Sequence, residues 1–317
     1  MNASARAFVL GRGLVLSGHP SGEPGLDDLP APFRSPVRRM DRYARTAYLA
    51  GCRAAIAGGL APAPVPDPDT GVLLGTALGC RDSITTHAGL VRGAATADDL
   101  RPAVFAQTVH NTPCGELAIA WGLGGVSETL LSGRTAGLEA ILTAAWKIEA
   151  GTARRLLAGG AEGVTDELRA LWTERDAPGT GLFGSPPVEV AGILLLGDGA
   201  AAAEGRPLAR VAGGGTFRQT ASPEAAARLS ELALSALGGG PDLLVLASPD
   251  PEGALARAVS ARRTRDLASE VGEMLGAGGA VGVVLAVEEI EAGKAGTAAV
   301  VTRDASGATA LLLLVRP

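Results

Sequence analysis

The most regular hydrophobic pattern of the chain lies in residues 128–160. Glu128 to Ser132 is typical of a strand, and Gly133 then marks a sharp turn. Apolar residues recur at helical spacing after this turn and predict a buried amphipathic helix; they are Leu138, Ile141, Leu142, Ala145 and Ile148. A second strand is predicted at Arg155 to Ala158. In such an α/β unit the residue at the turn often projects into a site from the start of the helix, and here that residue is Arg134.

Other apolar runs predict further strands and helices on both sides of this unit. Strands are expected at Ala7–Ser17 with a break at Gly11–Gly13, and at Gly71–Gly79, Glu189–Gly197, Leu208–Ala212, Leu243–Ala247, Thr297–Val301 and Thr309–Val315. Helices are expected at Met40–Leu60 and at Pro223–Leu237, the latter with Ser222 as its N-cap. Because Leu16 stands where a third glycine would be needed, Gly11 and Gly13 favour a plain turn over a dinucleotide-binding loop.

Composition excludes several classes of function. The 317 residues are 47% hydrophobic, with 45 glycines and few aromatic residues, which favours a core of small aliphatic side chains in a layered α/β protein. The net charge of −5 and the absence of a long basic run argue against nucleic acid as a partner. No apolar run is long enough for a membrane span, and we expect neither secretion nor membrane insertion. Three scattered cysteines favour a reducing cytoplasm over disulfides or a metal site.

Two motifs resemble the ketosynthase-like condensing enzymes of the thiolase fold. Residues 133–141 read GRTAGLEAI where that family has a nucleophile elbow of the form ACASGLxAI, and residues 158–162 read AGGAE, which the family has at a strand end. The resemblance runs from about residue 7 to the end of the chain. It implies an α/β fold with five layers, αβαβα, built from two pseudo-repeated halves at 1–205 and 206–317, the second shortened. It also implies a hinge at Asp198–Gly205 and a second central helix at Gly276–Ile290.

The catalytic residues of that family are replaced here. By resemblance, Arg134 stands at the nucleophile position, and a permanently protonated guanidinium cannot accept an acyl chain. Glu273 stands at the position of the second catalytic histidine and Ala268 at that of the lysine. The first histidine would fall near Ser248. The only histidines are His19, His87 and His110, none of them at a catalytic position. Arg134 and Glu273 have opposite charges and would face each other across the former active site, so we predict that they form a buried ion pair. The alternative is that Arg134 turns outward, to solvent or toward the partner subunit.

A ketosynthase fold without these groups resembles a chain length factor, an inactive subunit that pairs with an active ketosynthase. The resemblance implies a heterodimer or heterotetramer that shapes the tunnel for an acyl or polyketide chain, without a cofactor or a metal, and that meets an acyl carrier protein through its partner. Residues that would line the tunnel or the subunit interface lie in 101–126, and local packing is the alternative role for them; they are Phe105, Val109, Thr112, Cys114 and Glu116.

Two other functions stay open from the sequence. One is a homodimeric, non-catalytic acyl-binding or scaffold protein. The other is a thioester enzyme with a relocated nucleophile. Its candidates are Cys114 with His110, four residues apart and able to pair if the segment is helical, and the hydroxyls of Ser132 and Ser248.

Overall fold

The computed structural model describes residues 6–16, 25–26, 29–175, 186–217, 223–250 and 253–317. Its strands are Phe8–Leu16 (β1), Thr70–Gly75 (β2), Ser127–Leu130 (β3), Arg155–Glu162 (β4), Val190–Gly197 (β5), Ala209–Phe217 (β6), Leu243–Leu246 (β7), Arg263–Asp266 (β8), Thr297–Arg303 (β9) and Thr309–Val315 (β10). Its helices are Ala31–Arg34 (α1), Arg42–Ala57 (α2), Arg81–Gly93 (α3), Pro102–Phe105 (α4), Thr112–Trp121 (α5), Ala136–Glu149 (α6), Asp166–Arg175 (α7), Gly199–Ala203 (α8), Pro223–Leu237 (α9), Ala254–Ala258 (α10), Leu267–Glu270 (α11) and Gly278–Glu291 (α12). Short 3-10 turns lie at Pro36–Arg39, Ala97–Asp99, Gly133–Thr135 and Leu275–Ala277.

The strand order repeats between the first and the second part of the chain. The described strands are connected in the order β3-β2-β4-β5-β1-β6-β10-β9-β7-β8. In the first five strands β2 runs parallel to β3 and β4, whereas β5 is antiparallel to β4 and β1. In the last five strands β7 runs parallel to β8 and β9, whereas β10 is antiparallel to β9 and β6. The two sets therefore have the same topology, and a short pairing of β1 with β6 joins them.

Alternating side chains along each strand face different helix layers. In β2, Leu73 packs in the cluster that contains α6 and α12, whereas Leu74 packs with α2 and α5. In β7, Val245 faces the same central helices, whereas Leu244 packs with α9 and α10. The helices α6 and α12 thus lie between the two sets of strands, with further helices outside each set. This is the five-layered α/β architecture that the family resemblance implied.

The predicted break in the first strand is wrong. Phe8–Leu16 is one continuous strand with a register shift between Val9 and Gly11. Both glycines face α2 at very short range: a Cβ on Gly11 would lie 2.3 Å from the Ala54 carbonyl oxygen, and one on Gly13 would lie 1.9 Å from that of Ala50. The glycines therefore permit a close approach of strand and helix, and they do not form a turn.

Several element limits differ from the sequence prediction for local reasons. The helix predicted at Met40–Leu60 begins later, after the N-cap Asp41, whose side chain accepts a hydrogen bond from the Ala44 N–H. The segment expected as a hinge contains the short helix α8, with Asp198 as its N-cap. Strand β4 continues to Glu162, beyond its predicted end at Ala158. The central helices α6 and α12 both start after a 3-10 turn, two residues later than expected. Ser222, the predicted N-cap of the helix at Pro223–Leu237, lies outside the described residues.

The described residues form neither a membrane-spanning helix nor a metal-binding cluster. No described helix has both the length and the apolar character needed to cross a bilayer. No group of His, Cys, Asp and Glu side chains in the described part of the chain is arranged to hold a metal ion.

Candidate functional site

The starts of the two central helices meet in the middle of the molecule. A Cβ on Gly137 in α6 would lie 2.6 Å from the carbonyl oxygen of Gly276, just before α12. Gly160 in β4 lies against the same point, since its Cβ would be 2.9 Å from the Gly137 Cα. Only glycine allows backbones this close. The 3-10 turns that precede α6 and α12 are therefore neighbours, and each carries or adjoins one of the two residues that the sequence singled out.

The predicted ion pair between Arg134 and Glu273 is present. Arg134 Nη2 donates to Glu273 Oε2 at 2.6 Å, and Arg134 Nε lies 3.1 Å from Oε2 and 3.2 Å from Oε1. The side chains are 13% and 3% exposed, respectively. Glu273 Oε1 also accepts a hydrogen bond of 2.8 Å from the Leu275 N–H. The two charges thus compensate each other inside the protein, as buried charges require.

The backbone of Arg134 is also held from the opposite side. Its N–H donates to Asp304 Oδ2 at 3.1 Å, and its carbonyl oxygen accepts from the Thr302 hydroxyl at 3.2 Å. Burial raises the pKa of Asp304, but the N–H groups of Ser306 and Arg134 outweigh it, so the pKa lies below its usual value. Gly133 has φ of 65°, and a Cβ there would lie 2.4 Å from Asp304 Oδ2. The turn into α6 therefore requires glycine and places Arg134 against β9 and its hairpin.

A second buried carboxylate, Glu162, connects the two parts of the chain. It is fully buried at the end of β4 and accepts hydrogen bonds from the N–H groups of Ala77, of Leu78 at 3.2 Å and of Gly276 at 3.1 Å. Burial raises its pKa to about 7, and these hydrogen bonds offset the effect only in part. The AGGAE motif contained Glu162, but only the fold shows that it holds the turn before α12. Asp304 had no signal in the sequence beyond its place between the predicted strands Thr297–Val301 and Thr309–Val315.

The candidates for tunnel or interface contacts differ in exposure. Phe105 and Val109 are 61% and 48% exposed, Thr112 is half-buried, and Glu116 pairs with Arg39 at 3.2 Å. Cys114 is fully buried. Its thiol donates to the Glu128 carbonyl oxygen at 3.3 Å and lies 3.4 Å from the Thr129 hydroxyl. Within this chain, Phe105 and Val109 are thus open to a partner, whereas Cys114 packs against β3.

The pairing of Cys114 with His110 is wrong. Helix α5 begins at Thr112, so His110 lies before it and the two residues do not share a helix face. His110 Nδ1 instead lies 3.4 Å from the Cys80 thiol and accepts from the Cys80 N–H at 3.3 Å. Burial raises the pKa of Cys114 to about 11, so its thiol stays protonated at neutral pH.

Neither serine has an imidazole base among the described residues. The Ser132 hydroxyl is buried without a hydrogen-bond partner. The Ser248 hydroxyl accepts from the Arg303 N–H at 2.7 Å. Of the described histidines, His110 contacts Cys80, and the ring of His87 lies 5.3 Å from that of Phe105 at a tilt of 55°; His19 lies outside the described residues. A serine needs such a base to attack a thioester at neutral pH.

Part of the chain is similar in sequence to known proteins. Residues 28–174 match the beta-ketoacyl synthase N-terminal domain. A curated relative, "Putative polyketide beta-ketoacyl synthase 1" of Streptomyces virginiae, is 28% identical over an alignment of 202 residues, which covers 54% of this chain and 47% of that protein. The match thus spans about half the length of the curated relative.

Solved structures of similar fold cover almost the whole chain. The ishigamide ketosynthase/chain length factor has a TM-score of 0.82 at 18% identity, over 99% of this chain and 100% of that one. A beta-ketoacyl synthase from Burkholderia phymatum STM815 has a TM-score of 0.77 at 19% identity, with the same coverage. A structure described as a type II PKS acyl-carrier protein in complex with its ketosynthase bound to the hexaketide has a TM-score of 0.77 at 17% identity, again with 99% and 100% covered.

The protein therefore has the thiolase-like fold of the ketosynthases. Residues 28–174 are similar to the beta-ketoacyl synthase N-terminal domain, and the expected resemblance to ketosynthases and to a chain length factor is confirmed in the fold.

Proposed function

We propose that this chain is a non-catalytic, ketosynthase-like subunit of the chain length factor type. It pairs with an active ketosynthase in a heterodimer or heterotetramer and shapes the tunnel in which that partner extends an acyl or polyketide chain. The partner, in turn, receives its substrates from an acyl carrier protein. The halves at 1–205 and 206–317 are, in this proposal, structural repeats of one unit, and three buried cysteines in the thiol form fit a reducing compartment such as the cytoplasm.

The observation that carries the proposal is the Arg134–Glu273 ion pair. By resemblance these residues stand where the family has its nucleophile and its second histidine. An arginine that is bonded to a buried carboxylate at 2.6 Å is neither a nucleophile nor free to move toward a substrate. The backbone N–H of Arg134 is the kind of donor at a helix start that stabilises an oxyanion in acyl transfer, and Asp304 occupies it. Nucleophile, base and oxyanion donor are thus all missing from this place.

The surface around β3 supports a partner subunit. This strand pairs only with β2 among the described strands, so its other edge is open. Large apolar side chains are exposed on the elements that precede and follow it: Phe105 at the end of α4, Val109, Ile119 on α5, and Leu131 directly after the strand. An open strand edge beside exposed apolar side chains is typical of a subunit interface.

Co-expression with the ketosynthase of the same locus tests the proposal. We expect the chain alone to be poorly soluble and to co-purify with that ketosynthase in a stoichiometric complex. Phe105→Asp and Ile119→Asp should abolish co-purification. Leu234→Asp serves as the control, because Leu234 is also an exposed large apolar residue, at 53%, but lies on α9, in the outer layer of the second half. A stable homodimer that does not co-purify with the ketosynthase would contradict the proposal and favour the scaffold function.

A further inference from the structure

The turn before α12 contains a strained residue. Leu275 has φ of 47°, and among the described residues it is the only one other than glycine with a positive φ. This left-handed region is unfavourable for leucine, because its Cβ then lies too close to the following carbonyl oxygen. Such strain persists only where the surrounding structure imposes it.

The backbone is fixed on both sides of Leu275. Before it, the Glu273 carbonyl oxygen accepts a hydrogen bond of 2.9 Å from the N–H of Val188, two residues before β5. After it, the Gly276 N–H donates to Glu162 Oε1 at 3.1 Å. Leu275 therefore has to connect two points that are held by different strands, and this constraint favours the strained conformation.

The ion pair holds the strained residue itself. Glu273 Oε1 accepts a hydrogen bond of 2.8 Å from the Leu275 N–H, and the same carboxylate binds Arg134. Without Arg134 the carboxylate, which is only 3% exposed, would have to turn toward water. The Leu275 N–H would then lose its acceptor, and the strain would no longer be offset.

We propose that the turn at residues 273–277 has two states and that the ion pair selects the strained one. In this state the Gly276 carbonyl oxygen lies close against Gly137, at the start of α6. When the pair is broken, Leu275 relaxes to a negative φ, the Gly276 N–H leaves the Glu162 carboxylate, and the starts of α6 and α12 separate. The inference does not depend on the role of the chain in a ketosynthase complex, because every contact in it lies within this chain.

The variants Leu275→Gly and Leu275→Ala test the strain directly. Both remove the leucine side chain, but only glycine adopts a φ of 47° without strain. At ordinary positions the alanine variant is the more stable one, because glycine gains more freedom on unfolding. At this position we expect the reverse order, with an unfolding constant about three- to tenfold smaller for Leu275→Gly in urea at neutral pH. Ala292→Gly, at an exposed residue with φ of −72°, is the control and should raise the unfolding constant.

The same two variants in a Glu273→Met background test the role of the ion pair. The turn is then free to relax, so Leu275→Ala should be at least as stable as Leu275→Gly. Hydrogen exchange followed by mass spectrometry gives a second readout. In Arg134→Met, the peptide that contains Gly276 should exchange faster by a larger factor than peptides of β10, which report on global unfolding.

Three results would each overturn the proposal. The first is that Leu275→Ala is more stable than Leu275→Gly in the otherwise unchanged chain. The second is that Leu275→Gly remains the more stable variant, by the same factor, in the Glu273→Met background. The third is that exchange in Arg134→Met rises by the same factor in the Gly276 peptide and in β10.

Discussion

Removing one member of the Arg134–Glu273 pair should destabilise the protein strongly, whereas removing both should cost much less. Arg134→Met strands a carboxylate that is 3% exposed, and Glu273→Met strands a guanidinium that is 13% exposed. Breaking a buried pair costs about 3 to 5 kcal/mol, because the remaining charge loses its partner without gaining water. We expect Arg134→Met near the upper end of this range and Glu273→Met near the lower end, since Arg134 has more access to solvent.

The double variant removes both charges and leaves apolar side chains of similar length. Buried ion pairs replaced in this way are often neutral within a few kcal/mol, so the double variant should be more stable than Arg134→Met alone. Urea unfolding, followed by circular dichroism at neutral pH, gives the four free energies of a double-mutant cycle.

A matched surface pair serves as the control. Arg265 and Glu270 have almost the same geometry, with Nη2–Oε2 of 2.6 Å and Nε–Oε2 of 3.2 Å, but their side chains are 28% and 42% exposed. Arg265→Met should therefore cost no more than about 1 kcal/mol. The buried pair would be refuted if neither single variant lowered the free energy of unfolding. It would also be refuted if the losses of the two single variants simply added in the double variant.

Three other predictions follow from the same geometry. Arg134→Cys should not produce condensation activity in a product assay with acyl and malonyl carrier-protein thioesters, because the new thiol lacks a base and Asp304 occupies the neighbouring N–H; product formation would contradict this. Glu162 has its folded pKa raised from 4.5 to about 7, so its contribution to stability is present below about pH 4.5 and is lost as pH rises to about 7. The unfolding free energy of the wild type relative to Glu162→Gln should fall by on the order of 3 kcal/mol across that window, and a flat difference would show that Glu162 does not titrate there. Cys114, buried and with a pKa of about 11, should resist iodoacetamide in the native protein at pH 8 and react after unfolding, as read by mass spectrometry; rapid native labelling would refute its burial.

The local pattern of apolar residues was sufficient to predict the helices and strands in which these residues recur most regularly. The helix at 136–149 was predicted because its apolar residues repeat at helical spacing, and the final hairpin strand Thr309–Val315 has the predicted limits. Gly11 and Gly13 misled the prediction, since a glycine that permits contact with a distant helix looks the same in sequence as one that makes a turn. The limits of α6 and α12 shifted because 3-10 turns precede them.

The only part of the site that could be predicted from the sequence was the ion pair, because a buried charge requires a partner of opposite charge. A buried arginine requires a nearby anion, and the family resemblance supplied Glu273 as the candidate. The contacts of Asp304 with Arg134 and of Glu162 with Gly276 join residues more than a hundred positions apart, and no local signal encodes them. The His110–Cys114 spacing failed for a related reason, because an i,i+4 relation has meaning only inside a helix and α5 starts after His110.

Intact-mass spectrometry of the co-purified complex tests the central claim most directly. After incubation with an acyl carrier protein thioester, we expect a stoichiometric acyl adduct on the ketosynthase partner and none on this chain, because Arg134 is held by Glu273 and cannot accept an acyl group. A stoichiometric acyl adduct on this chain would contradict the account.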